Sequence, residues 1–99
     1  MTSVRDHVFA VINDHRDEIY TKFNVETLSV FGSVARATAG VDSDVDILVS
    51  YKETPGFFGF LNLKEYLEAK LGRRVDLVTK GALKKQLLKK ITREAIRVA

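Results

Sequence analysis

The 99 residues of this chain predict an α+β fold, a small mixed β-sheet with packed helices. Three observations carry the prediction. Short apolar runs with strand-like patterning lie at Val25–Phe31, Asp44–Val49 and Arg74–Thr79. Stretches with apolar residues at helical spacing separate and flank them. About a dozen residues link the first two strands, barely enough for a parallel crossover, so an antiparallel pair is easier. The expected order is helix, strand, short helix, strand, helix, strand, helix, in a single domain over residues 1–99.

Each element has a local reason. Thr2 or Ser3 can cap an opening helix with Asp6 in its first turn, and Val4, Val8, Val11, Ile12 and Ile19 form its stripe. His15 falls on the stripe's edge and, like His7, reads as structural because nothing nearby in sequence partners it. The first strand stops at Gly32-Ser33, where a helical turn from Ser33 to Thr38 begins. Ala39-Gly40-Val41-Asp42-Ser43 is a polar loop that Ser43 is expected to fix. In the second strand Val45, Ile47 and Val49 alternate with Asp44, Asp46 and Leu48, the mark of a half-buried strand. Lys52 lies near its end, before the turn at Thr54-Pro55-Gly56. Phe57, Phe58, Phe60, Leu61, Leu63, Tyr66, Leu67 and Leu71 then give a helix closed by Gly72. Its phenylalanines read as packing, with Phe57 and Phe58 partly exposed beside the turn. Asp76 interrupts the third strand between Val75 and Leu77 and points away from their face. Gly81–Ala99 predicts an amphipathic helix striped by Leu83, Leu87, Leu88, Ile91, Ala95 and Val98.

The stretch from Phe31 to Val49 carries the chemistry. On a strand Asp44 and Asp46 share a face, with Cα atoms about 6.5 Å apart. Carboxylates that close raise each other's pKa unless a cation sits between them. Mg²⁺ takes oxygen ligands and often needs only one or two carboxylates plus substrate phosphates. Gly32 allows a bulky anion close to the backbone, and Ser33 can cap the helix where free N–H groups favour a phosphate. A metal site beside a phosphate site is the equipment of phosphoryl or nucleotidyl transfer. Arg36, three residues beyond Ser33, either reaches the triphosphate or pairs with Asp42 or Asp44. A lone acid such as Asp76 in an apolar strand is costly unless paired or metal-bound, so it either serves the same site or bridges to Arg73 or Arg74.

Gly32-Ser33, ten intervening residues and Asp44-Val45-Asp46 resemble the G-S-x10-D-x-D signature of the polymerase-β-like nucleotidyltransferase superfamily. GSVARATAGVDSDVDILV is most similar to its minimal nucleotidyltransferases, the MNT proteins, and the resemblance covers nearly the whole chain. Ala37 departs from the pattern, since the family often has glycine there. The resemblance implies a polymerase-β-like fold in which Asp76 matches a third carboxylate supplied by a neighbouring strand. Asp44, Asp46 and Asp76 would then be catalytic and would hold one or two Mg²⁺ ions, with Gly32, Ser33 and Arg36 on the nucleotide. MNT proteins commonly pair with HEPN ribonuclease toxins. The implied reaction moves AMP from ATP to a tyrosine of such a toxin, the MNT protein acting as antitoxin within a shared assembly.

Composition narrows the alternatives. There is no cysteine, which excludes disulfides and thiolate metal sites. No apolar run has the length of a membrane span and no signal peptide is visible, so the expected location is the cytoplasm. The net charge of +3 hides a basic C-terminal segment, where seven bases from Lys80 onward face one acid, Glu94. Two other functions compete with transfer. The chain could silence its partner by binding alone, which retention of three acids disfavours. It could bind nucleic acid through Lys84, Lys85, Lys89 and Lys90, ranked last because no aromatic residues interleave with them.

Overall fold

A computed structural model describes residues 3–40 and 42–99. Thr2, one of the two expected caps, and Val41 of the loop before the acids lie outside them. Ser3 is the cap of helix α1 (Val4–Asp14), its hydroxyl accepting from the Asp6 N–H at 3.1 Å. The opening helix is two helices, α1 and α2 (Arg16–Lys22), divided at His15. The ring Nδ1 of His15 lies 2.8 Å from the Val11 carbonyl, sharing the acceptor of its own backbone N–H. That N–H turns toward Ile12 at 3.1 Å, the tighter step at which the helix breaks. The stripe survives, with Val8, Ile12 and Ile19 buried.

Strand β1 (Val25–Phe31) runs into the one-turn helix α3 (Gly32–Ala35). Phe31 is the N-cap of α3, with no side-chain cap bond, so Ser33 lies inside the turn rather than capping it. Ala37 follows at φ 60°, the left-handed region that accounts for glycine in the pattern the chain resembles. Strand β2 (Val45–Tyr51) pairs antiparallel with β1, the arrangement the short link makes easier. A register shift between Val25 and Thr27 marks a bulge, which lets Val25 and Leu28 both reach the core. Helix α4 (Phe57–Leu71) buries Leu63, Leu67 and Leu71 at one-turn spacing and ends at Gly72, φ 67°. It carries the chain across to strand β3 (Val75–Thr79), which lies parallel to β2.

The last segment departs from the expected continuous helix. A single 3₁₀ turn over Lys80–Ala82 precedes helix α5 (Lys85–Glu94), and Ile96–Arg97 form a fourth strand, β4. Ile96 and Val98 pack against the core while Arg97 is exposed, a period of two rather than 3.6. The Leu28 carbonyl accepts from the Val98 N–H at 2.9 Å, and the Leu28 N–H donates to the Ala99 carbonyl at 3.1 Å. An otherwise open edge of β1 is thereby paired. The sheet order is β3-β2-β1-β4.

One hydrophobic cluster lies on one face of the sheet, drawing Val45, Ile47 and Val49 from β2, Val75 and Leu77 from β3, and the leucines of α4. Leu48, expected on the open side, is only 2% exposed, so mid-β2 is covered on both faces. Asp46 and Asp76 alternate with these core residues and project from the opposite face. No helix among the described residues is long and apolar enough to cross a membrane.

Candidate active site

The acids meet through strand register. Asp46 is directly opposite Asp76 on the parallel pair β2–β3, and opposite Phe31 on the antiparallel pair β1–β2. Neighbouring strands lie about 4.8 Å apart, so two carboxylates on one face at one level are close neighbours. Asp44, just before β2, follows the same face from the strand end. Asp46 is half-buried; Asp44 and Asp76 are exposed. Burial, then the charges of Asp76 and Asp44, raise the Asp46 carboxyl above its usual range, against the opposing pull of Arg36.

Gly32 sits against this cluster because it directly follows the residue paired with Asp46. Its φ is +71°, and a Cβ there would collide with a carboxylate oxygen of Asp46. Both facts require glycine. Its N–H donates to Glu94 Oε1 at 3.0 Å. Ser33 is partly exposed beside it.

The arginines pair differently from the sequence alternatives. Arg36 Nη1 binds Glu94, at 3.3 Å to Oε1 and 3.2 Å to Oε2, instead of Asp42 or Asp44. Arg74 Nε contacts Asp44 Oδ1 at 3.1 Å rather than bridging to Asp76. Arg73 Nη1 donates to the carbonyls of Gly40 and Ser43. Ser43 holds the loop as expected, its hydroxyl accepting from the Gly40 N–H at 2.9 Å. His15 is structural, bound to Val11 and set edge-on to Tyr66 with ring centres 6.2 Å apart. Phe57 and Phe58 are exposed, at 70% and 78%.

A family model described as nucleotidyltransferase domain matches residues 12–99. The chain belongs to that family. This nucleotidyltransferase is 44% identical over 93 residues to a protein adenylyltransferase, MntA, of Thermococcus cleftensis, covering 94% of each chain. Among solved structures it is similar to a minimal nucleotidyltransferase, at 36% identity and TM-score 0.77, covering 88% of this chain and 89% of the other. It also shares its fold with a Shewanella oneidensis complex of a tri-AMPylated HEPN toxin and an MNT antitoxin, at TM-score 0.67 and 17% identity, covering 92% of this chain and 71% of that one. The minimal nucleotidyltransferase fold and the class of enzyme expected from GS-x10-DVD are thus shown.

Among the described residues of the nucleotidyltransferase, no three candidate ligands are closed into metal-ligating geometry. Asp44 is drawn to Arg74. The donors themselves fit a hard divalent cation, being oxygen-only and on one face, with the charges of Asp76 and Asp44 adding to burial in raising the Asp46 pKa. Sequence reading missed Glu94, the one acid in a basic segment, which reaches Gly32 from 62 positions away. Its isolation among bases was the available signal.

Proposed function

We propose that this nucleotidyltransferase, working in the cytoplasm with Mg²⁺, transfers AMP from ATP to a tyrosine hydroxyl of a HEPN-type toxin and so acts as its antitoxin. The observation that carries the reading is the register of Asp46 against Asp76, with Asp44 two residues upstream and Gly32 closed against Asp46. The name of the 44%-identical relative and the AMPylated HEPN toxin in the structural neighbour support the acceptor class.

Asp44, Asp46 and Asp76 would hold Mg²⁺, which when bound neutralises charge on the phosphates and so favours departure of pyrophosphate. Gly32 keeps a side chain out of the space beside Asp46. The Ser33 hydroxyl and the Arg36 guanidinium bind the β- and γ-phosphates. An Asp76 oxygen accepts the tyrosine proton as the hydroxyl attacks the α-phosphorus. The new bond joins tyrosine oxygen to phosphorus, and the bond to the pyrophosphate oxygen breaks.

Mass spectrometry of the co-expressed partner tests this. Adenylyl mass should appear on a partner tyrosine with the unaltered chain and be absent with Asp44→Asn. A partner that is inhibited while unmodified would replace transfer by inhibition through binding alone.

A further inference from the structure

We infer that Glu94 is a positioning residue for the transfer, holding the Arg36 guanidinium against the Gly32 turn so that the arginine's other N–H groups meet the triphosphate. The inference rests on the reading of this site as a centre for ATP.

Four observations converge. First, one carboxylate serves two parts of the site: Oε1 accepts from the Gly32 N–H and from Arg36 Nη1, and Oε2 from the same Nη1. Gly32 thus touches both acids, Asp46 where a Cβ would stand and Glu94 through its N–H. Second, the contacts to Glu94 use a single nitrogen of Arg36. A guanidinium has five N–H donors, so those on Nη2 and Nε are not taken by this pair and suit a phosphate.

Third, Glu94 is anchored by its backbone. It ends α5, whose last turn is closed by the Ala95 N–H donating to the Ile91 carbonyl at 2.9 Å. Two residues on, Ile96 is paired with Val30, two residues before Gly32. Strand β4 therefore fixes position 94 alongside position 32. Fourth, Arg36 is 55% exposed. Without a partner a side chain of this length samples many rotamers, and ordering it on the nucleotide would cost entropy. A held arginine has already met that cost.

The charge of Glu94 also adds, after burial and the charges of Asp76 and Asp44, to raising the Asp46 pKa. An acid placed there works against a crowded carboxylate cluster. An ion pair this exposed adds little to stability. Orientation of Arg36 is the compensating use.

The test uses the full chain, with ATP·Mg²⁺ binding measured on it alone and adenylyl transfer measured with its partner. Glu94→Gln keeps an acceptor for the Gly32 N–H and removes the charge that holds Arg36. It should raise both Kd and KM for ATP about tenfold, the loss of one oriented charge-assisted contact, and leave kcat within about twofold. Glu94→Asp should fall between Gln and the unaltered chain, and it remains readable if the Gln variant does not fold. Because Glu94 acts through Arg36, Glu94→Gln combined with Arg36→Gln should bind no worse than Arg36→Gln alone. A lowered melting temperature with unchanged Kd and KM overturns the inference, as do losses that multiply in the double variant. A lowered Kd overturns it too, because Glu94 would then be occupying the phosphate's place. An unaltered chain that binds ATP but modifies no partner refutes the proposed transfer while Glu94 is still judged on Kd. One that binds no nucleotide refutes both.

Discussion

The two ends of the sheet are built on opposite electrostatic terms. Where β2 and β3 begin, Asp44, Asp46 and Asp76 share a face, and Glu94 adds a fourth negative charge beside Gly32. Where β2 finishes and β1 begins, cations lie over aromatic rings. Lys22 Nζ is 5.5 Å from the ring centre of Phe23 and 5.6 Å from that of Tyr66, and Lys70 Nζ is 5.5 Å from Tyr66. A cleft of about 540 Å³ opens there, lined by Lys22, Phe23, Asn24, Pro55, Tyr66 and one acid, Glu65. The acid end has a smaller hollow of about 340 Å³ along Asp42, Ser43, Asp44, Arg73 and Arg74. The larger of these two spaces is thus not the one beside Asp44. Cation–ring contacts favour the folded chain without any ligand. Crowded carboxylates oppose it until a cation arrives, which is the usual mark of a site organised for chemistry.

Asp46→Asn breaks this contrast most strongly. Transfer should fall on the order of 10²–10³-fold, as when a preorganised charge is lost from an active site. The melting temperature of the metal-free variant should rise at the same time. Phe58→Ala at the other end, removing an exposed ring, should leave transfer unchanged and shift stability by no more than about 0.5 kcal/mol.

Gly32→Ala combines two penalties, a left-handed backbone and a methyl group driven into the Asp46 carboxylate. It should destabilise by about 1–2 kcal/mol from the backbone alone and lower transfer further by displacing Asp46, read by thermal unfolding and by initial rates.

The pH dependence sharpens the same point. Asp46 has a raised folded pKa against a reference near 3.8. Its contribution to stability is therefore fully present below the unfolded value and is lost as pH rises through the folded one. The gain in melting temperature from Asp46→Asn, measured without metal, should grow across that interval and then level off. Added Mg²⁺ should stabilise the unaltered chain more than the variant.

A smaller effect than that of Gly32→Ala, and one of opposite sign, is expected from Ala37→Gly. Relieving φ 60° at this residue should stabilise by about 1 kcal/mol, measured by denaturant titration, with KM for ATP unchanged.

Much of this molecule was legible locally. Period-two alternation marked β2, short apolar runs marked β1 and β3, and Gly72 marked the end of α4, because side-chain patterning and left-handed caps are properties of neighbouring residues. The spacing from Gly32-Ser33 to Asp44-Val45-Asp46 identified the family, and Asp76 could be singled out as an acid in an apolar strand. Only the tertiary structure decided the rest. Whether residues 96–97 continue a helix or add a strand depends on the open edge of β1, nearly seventy positions earlier, so the apolar stripe alone could not choose. Arg36 had Asp42 and Asp44 nearby in sequence and binds Glu94, while Asp44 takes Arg74. Sequence patterns record which way a side chain faces, but the charge it meets is selected by strand order and register, which bring distant residues to one level of the sheet.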